Sequence, residues 1–207
     1  ILMNKYKQYQ NETIGKLPNI LICGKMCSGK STIREIIMNE FPEYKHYAFG
    51  DKVKEIARDI FDMDDKTKDR KLLTKIGTKM REIDEDVWVN YVLKQLKSDD
   101  SVIIDDLRYQ NELDKIIGKK SNWNNWFIIN IKISPKLQLD RLKRMYHNWS
   151  DHKDRLKHHS EKQKFNYIRF DHEINMDHYH KLFNNNLQHF IDFYSKIIKL
   201  EIEKQII

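Results

Sequence analysis

The chain has 207 residues, with 38 Lys and Arg against 31 Asp and Glu, a formal net charge of +7. With 40 % hydrophobic residues and only 3 Pro and 6 Gly, it has material for one packed, helix-rich domain, which excludes collagen-like, linker-rich and disordered classes. The basic surplus suits phosphate-bearing partners of any size, no apolar run approaches the roughly 18 residues that span a bilayer, and two cysteines, Cys23 and Cys27, suit a reducing, cytoplasmic setting.

Residues 1–17, polar from Asn4 on, read as a flexible N-terminal extension, and 18–207 as one domain. The continuous apolar run 19–23 predicts a strand buried on both faces. A helix over 30–40 follows, with Ile33, Ile36 and Ile37 on one stripe and Pro42 marking its end. A second strand covers 46–49 and stops at Gly50-Asp51. Residues 52–97 read as several helices with a break at 66–69. A third strand covers 101–105, a helix 111–119, and a fourth strand 126–133, after which Pro135 opens a helix in its favoured first turn. Residues 147–166 form a polar insertion, 172–175 a short strand, and 178–204 one long helix, expected to pack on the sheet rather than to build a homodimer. Strands alternating with helices predict a three-layer α/β fold with a mainly parallel five-stranded sheet.

Between the first strand and helix, Gly24-Lys25-Met26-Cys27-Ser28-Gly29-Lys30-Ser31 fits G-x-x-x-x-G-K-[ST], with Thr32 next in the helix. Glycines let successive N–H groups point into one concavity, and the helix N-terminus adds positive potential there. Lys30 is placed to bridge β- and γ-phosphates and the Ser31 hydroxyl to coordinate Mg²⁺, so ATP and Mg²⁺ are the expected cofactors. Cys23 reads as a buried strand residue and Cys27 as a small loop residue.

Ile103-Ile104-Asp105-Asp106 is an apolar strand ending in acids, which puts Asp106 beside that magnesium. Beyond it, Arg108 offers a planar fork for phosphate and Tyr109 a ring for a base. Asn111 and Glu112 read either as part of this site or as the first turn of a helix.

The stretch Asp106-Leu107-Arg108-Tyr109-Gln110-Asn111-Glu112 resembles the D-x-R-[FY]-x-N-E segment of the viral and bacteriophage deoxynucleoside monophosphate kinases, which are adenylate-kinase-like P-loop enzymes. The run from Tyr47 to Ala57 resembles their A-F-[AG]-D-x-[LV]-K segment. Leu72-Leu73-Thr74-Lys75-Ile76-Gly77-Thr78 with Arg81 and Asp86-Val87-Trp88-Val89 is similar to L-L-x-x-[IL]-G-T…R…D-x-W-V. His159-Ser160-Glu161 and Phe170-Asp171-His172-Glu173-Ile174 are similar to H-x-S-E…F-D-x-x-I. The matches run over 19–175. The resemblance implies transfer of the γ-phosphoryl of MgATP to a deoxynucleoside monophosphate, with Asp51, Arg81, Trp88 and Arg108 facing the acceptor. Residues 121–126, with Trp123, look like an insertion, and Tyr109 stands where the family more often has Phe.

By chemistry alone, Arg81 and Arg108 are the cations an acceptor phosphate needs, and Trp88 reads either as a base-stacking surface or as a core aromatic between Val87 and Val89. Arg141, Arg144 and Arg155 lie on or beside the insertion, read as a basic lid over about 147–166 from which Arg144 or Arg155 reaches the transferring group. The histidines of this region read as surface residues rather than zinc ligands. No nucleophile and base are required, since an acceptor phosphate is already an anion. Rival readings are another small-molecule P-loop kinase, of phosphomevalonate or gluconate type, and a nucleic-acid-binding P-loop protein, the latter disfavoured.

Overall fold

β1 (Asn19–Gly24) is buried almost throughout and leads through the glycine-containing loop into α1 (Lys30–Glu40), whose Ile33, Ile36 and Ile37 form one buried stripe. The computed structural model describes residues 17–64, 66, 69–117, 126–146, 149–158, 161, 165, 170–182 and 186–205. The expected N-terminal extension, nearly all of the 121–126 insertion, much of the 147–166 lid and the Arg155 side chain lie outside the described residues. Trp126, read both as the end of that insertion and as the start of the fourth strand, opens the strand.

β2 (Lys45–Tyr47) is shorter than expected, because Phe49 begins α2 (Phe49–Phe61). Ala48 has no side chain to cap that helix. Asp106 does so from a distance, accepting the N–H groups of Phe49 and Gly50, each at 2.9 Å, which satisfies donors a helix start leaves open. α3 (Arg70–Ile83) starts on Asp69, whose carboxylate accepts the Leu72 N–H, and α4 (Val87–Gln95) follows. Next come β3 (Val102–Leu107), α5 (Gln110–Ile117) and β4 (Trp126–Lys132). α6 (Pro135–Met145) has Pro135 in its first turn and Ser134 as its cap. The described residues of the lid region include a single turn, α7 (Trp149–His152), and a 3₁₀ turn at Lys153–Lys157, and β5 (His172–Asn175) follows. In place of one helix over 178–204 there are two, α8 (Met176–Leu182) and α9 (Leu187–Glu203). Asn186 caps α9 by accepting the His189 N–H, a start signal lying inside a stretch whose apolar period reads as continuous.

All strand pairs are parallel, in the order β2-β3-β1-β4-β5. This is the expected P-loop NTPase fold. Alternation along β1 feeds two cores: Ile20 and Ile22 meet α1 and α9, while Leu21 and Cys23 meet α2, α4 and α5. The β1–β3 register shifts between Leu21 and Cys23, so that Leu21 lies opposite Ile104 but Cys23 opposite Leu107. The extra residue of β3 thus falls at Asp105–Asp106, at the sheet's ligand-bearing rim. Among the described residues, no helix is long and apolar enough to cross a membrane.

Trp88, expected to face the acceptor, is 2 % exposed and donates its indole N–H to the Gly77 carbonyl at 3.1 Å. The core reading of this residue is the one observed. A buried indole needs a partner for its N–H, and here that partner ties α4 to α3, the helix carrying Arg81. Trp88→Ala is expected to cost on the order of 3–5 kcal/mol, read as a lowered midpoint in urea unfolding.

Candidate active site

The loop from Gly24 to Ser31 is shaped by two glycines. Gly29 has φ +101° and Gly24 φ +150°, conformations that side chains with a Cβ rarely adopt. At Gly24 a Cβ would also lie 2.7 Å from the Ile131 carbonyl oxygen. The loop's carbonyls are engaged one by one. Lys30 Nζ donates to those of Gly24 and Lys25 at 2.7 and 2.9 Å. Gln138 donates to that of Met26 at 2.9 Å, and Arg141 to those of Cys27 and Ser28 at 3.2 and 3.1 Å. What the loop then has to offer a ligand is N–H groups other than those of Met26 and Ser28, which go to Glu161 and to the Lys25 carbonyl, and N–H groups are the donors an anion requires.

Around this cradle, acids and cations interlock. Asp105, 6 % exposed, takes Arg34 of α1 on one oxygen at 2.8 Å and His46 of β2 on the other at 2.7 Å. Burial pushes its carboxyl upward, but the His46 hydrogen bond, with the charges of Arg34 and Lys30, leaves it below the usual range. Asp106 caps α2, and burial together with the neighbouring Asp105 raises its carboxyl. Lys30 is lowered to about 8, first by burial and then by the positive charge of Arg108. That coupling puts Arg108 within electrostatic reach of the lysine at the loop's mouth.

Each of the two arginines expected to clamp an acceptor is held by a buried acid. Glu112, 2 % exposed, accepts the Arg81 guanidinium at 2.9 Å and the backbone N–H groups of Arg108 and Tyr109, each at 3.0 Å. Glu161 accepts the Arg108 guanidinium at 3.0 Å and the Met26 N–H at 2.8 Å. Arg81 also lies over the Tyr109 ring, 4.2 Å from its centroid. One face of the ring expected to stack a base is therefore covered by a cation.

The other expected positions are spread more widely. Ser31 is exposed in the first turn of α1, next to Thr32. Asp51 is exposed in the first turn of α2 and pairs with Lys54 at 2.7 Å. Arg144 is exposed in the last turn of α6. Gln138, Arg141, Glu112 and Glu161 have contacts at the site that sequence reasoning did not assign. Gln138 and Arg141 are three apart on α6, a spacing that puts both on one face, but nothing local says what that face meets. A cavity of about 340 Å³ lies beside the loop, with Lys25, Arg108, Glu161, Phe165 and Phe170 in its lining.

Compared with known proteins, the chain matches the AAA domain family over residues 20–166. No curated protein matches it in sequence. Among solved structures, it is similar to a gluconokinase from Sinorhizobium meliloti 1021 at 15 % identity, covering 77 % of this chain and 82 % of that one, with a TM-score of 0.46. It is also similar to the crystal structure of APE1195 at 15 % identity, covering 91 % and 99 % of the two chains, with a TM-score of 0.42. Neither likeness bears on substrate or mechanism.

The lowered Lys30 has a measurable consequence. A bound polyphosphate favours the ammonium form, so affinity is full below the free-state value of about 8 and falls as pH rises through it. The dissociation constant of MgATP is expected to change little between about pH 7 and 7.5 and to rise up to about tenfold per unit above pH 8. Calorimetric titration checks this, with Lys30→Ala expected to bind more weakly and to lose the slope.

Proposed function

The chain belongs to the AAA domain family, matched over residues 20–166, and we propose that its P-loop kinase-like domain moves the γ-phosphoryl group of MgATP onto a deoxynucleoside monophosphate, giving ADP and a deoxynucleoside diphosphate. The carrying observation is the cation pair at the loop's mouth. Arg108 is close enough to Lys30 to lower it, and Arg81 is held alongside through the shared acid Glu112. Each guanidinium is already paired with one acid, Glu112 or Glu161, so the cations are held in place before any phosphate arrives. The loop accounts for one phosphate chain, and the two arginines for a second phosphate facing it. The Nε–H of Arg81 is buried without a hydrogen-bond partner among the described residues, an orphan donor that a bound phosphate would satisfy.

In this reading the loop N–H groups and Lys30 hold the β- and γ-phosphates, and Lys30 follows the transferring group. Arg81 and Arg108 hold the acceptor phosphate in line with it, and Arg108 also meets the transferring γ-phosphoryl group of the donor. Catalysis is then positioning and charge stabilisation, with no side chain asked to remove a proton. Ser31 and Asp106 would hold the Mg²⁺, which when bound neutralises charge on the phosphate oxygens. Asp106 gives both oxygens to the start of α2, so its part in holding the metal would be to fix the acidic side of the site, with water able to complete the shell. Arg144 and Arg155 are the lid cations assigned to the transferring group, while Arg141 shapes the loop. Asp51 sits at the acceptor rim, next to Gly50. Cys23 and Cys27, neither of them in a disulfide, suit a reducing cytoplasm, where such substrates occur.

One observation favours a second reading. Trp88 is in the core and Tyr109 carries Arg81 on one face, which takes away the base-stacking role of the first and half the ring of the second. A small phosphorylated acceptor without a base, of the phosphomevalonate type, fits that loss. Phe165 and Phe170, whose rings meet edge to face at 6.5 Å, are the aromatics that line the cavity.

The deciding measurement is ADP release from MgATP with each ribo- and deoxyribonucleoside monophosphate. Turnover is expected to depend on the monophosphate, to vanish in Lys30→Ala, and to fall on the order of 10²-fold or more in Arg108→Ala, as when a charge-stabilising donor is removed. If no monophosphate stimulates release while MgATP still binds, the nucleotide acceptor is wrong and phosphorylated metabolites without a base are next.

A further inference from the structure

Glu161 is a buried acid that the phosphotransferase reading leaves without a role. Its side chain is 4 % exposed, and its two oxygens serve different elements. Oε1 accepts the Arg108 guanidinium at 3.0 Å, just past the end of β3. Oε2 accepts the Met26 N–H at 2.8 Å, inside the phosphate loop, and the Gln138 side-chain amide of α6 at 3.2 Å. A carboxylate is kept out of water only where its partners hold it well. Here the partners are a backbone N–H fixed by the loop, an amide fixed on a helix, and the guanidinium at the end of a long side chain.

Met26 and Gln138 are also joined to each other, through the amide's bond to the Met26 carbonyl at 2.9 Å. They form a rigid seat for Oε2, so the position of Oε1 is set by the loop itself. Arg108 is therefore registered against the loop by way of Glu161, rather than by its own chain alone. The charges of both Arg108 and Glu161 reach Lys30, and both residues line one cavity with Gly24 and Lys25 of the loop.

We propose that Glu161 is a positioning residue, which holds the Arg108 guanidinium in register with the phosphate loop so that it meets the terminal phosphate of the donor. The proposal rests on the phosphotransferase reading, in that it assigns Arg108 to a phosphate. A merely structural tether between loop and α6 would use Oε2 alone and would be indifferent to Arg108.

The test is a double-mutant cycle on the full chain, with Glu161→Ala, Arg108→Ala and both together. The readout is the γ-phosphate increment, the ratio of dissociation constants for MgADP and for the magnesium complex of the β,γ-imido analogue of ATP, measured by calorimetry. Each single change is expected to lower the increment about tenfold, the scale of a charge-assisted hydrogen bond, with MgADP affinity within about threefold of wild type. The double variant is expected to fall no further than Arg108→Ala, because one residue acts through the other. Glu161→Gln keeps one acceptor oxygen, which can serve Arg108 or the Met26 N–H but not both, and loses the charge, so it is expected to recover at most part of the increment. It also carries the test should Glu161→Ala fail to fold.

Additive losses would overturn the proposal, as would an equal weakening of MgADP and the analogue in Glu161→Ala. An increment that does not depend on Arg108 would overturn it too. The cycle needs no acceptor, so a chain that phosphorylates no monophosphate would lose its acceptor assignment while the question of Glu161 was still answered.

Discussion

Acids drawn out of water at the C-terminal rim of the sheet oblige the chain to bring cations or N–H groups to them, because an unpaired buried charge is far costlier than a paired one. Asp105, Glu112 and Glu161 are buried, and Asp106 lies between them. Each is met from another part of the chain: Asp105 by α1 and β2, Asp106 by the start of α2, Glu112 by α3, and Glu161 by the loop, α6 and Arg108. The cations around the loop are where they are because these acids hold them. Remove the acids, and the arginines are long side chains with many rotamers and no reason to face a phosphate.

The sheet makes this possible by stacking the sources of charge on adjacent strands. β1 delivers the loop, β3 on one side delivers Asp105, Asp106 and Arg108, and β4 on the other leads into α6 with Gln138 and Arg141. In a parallel sheet all three arrive at the same rim, which is why ligands of such folds bind there. The extra residue in β3 at Asp105–Asp106 falls where two consecutive acids turn to different neighbours, one toward α1 and β2, the other toward α2. A bulge at such a point re-aims side chains that strict pleating would place by alternation alone.

Charge at the rim is poised rather than neutral. Lys30 is lowered by burial and by Arg108, while Asp106 is raised by burial and by Asp105. Like charges held close are a standing cost, offset when a ligand of the opposite sign arrives. Lys30 meanwhile bonds to carbonyls of its own loop, so its ammonium has somewhere to rest without phosphate. An anion entering the cradle trades those weak acceptors for a charged one, and the lysine returns toward its ordinary value. The same reasoning makes Arg141 a shaping residue: its bonds are to loop carbonyls, and it fixes backbone rather than meeting charge.

Much of this was legible in the chain alone. The buried run at residues 19–23, the glycine spacing and Lys30 fix strand, loop and helix by local sterics, and alternation of strands with helices then leaves few topologies. Pro135 and the stripe of Ile33, Ile36 and Ile37 are equally local, as is the acid-ended third strand. Other features depended on residues far apart in sequence. Phe49 begins a helix because Asp106 caps it across 57 positions, so local propensity had no vote. Trp88 went to the core because Gly77 of α3 offers its indole N–H a carbonyl. Glu161 lies 53 positions from Arg108 and 135 from Met26, and no local pattern couples residues at that separation. By itself the sequence determined the phosphate loop and the order of elements, since both rest on short-range backbone constraints. Only the tertiary structure decided which acid holds which arginine, because burial turns a carboxylate from a solvated surface group into one that must be paired.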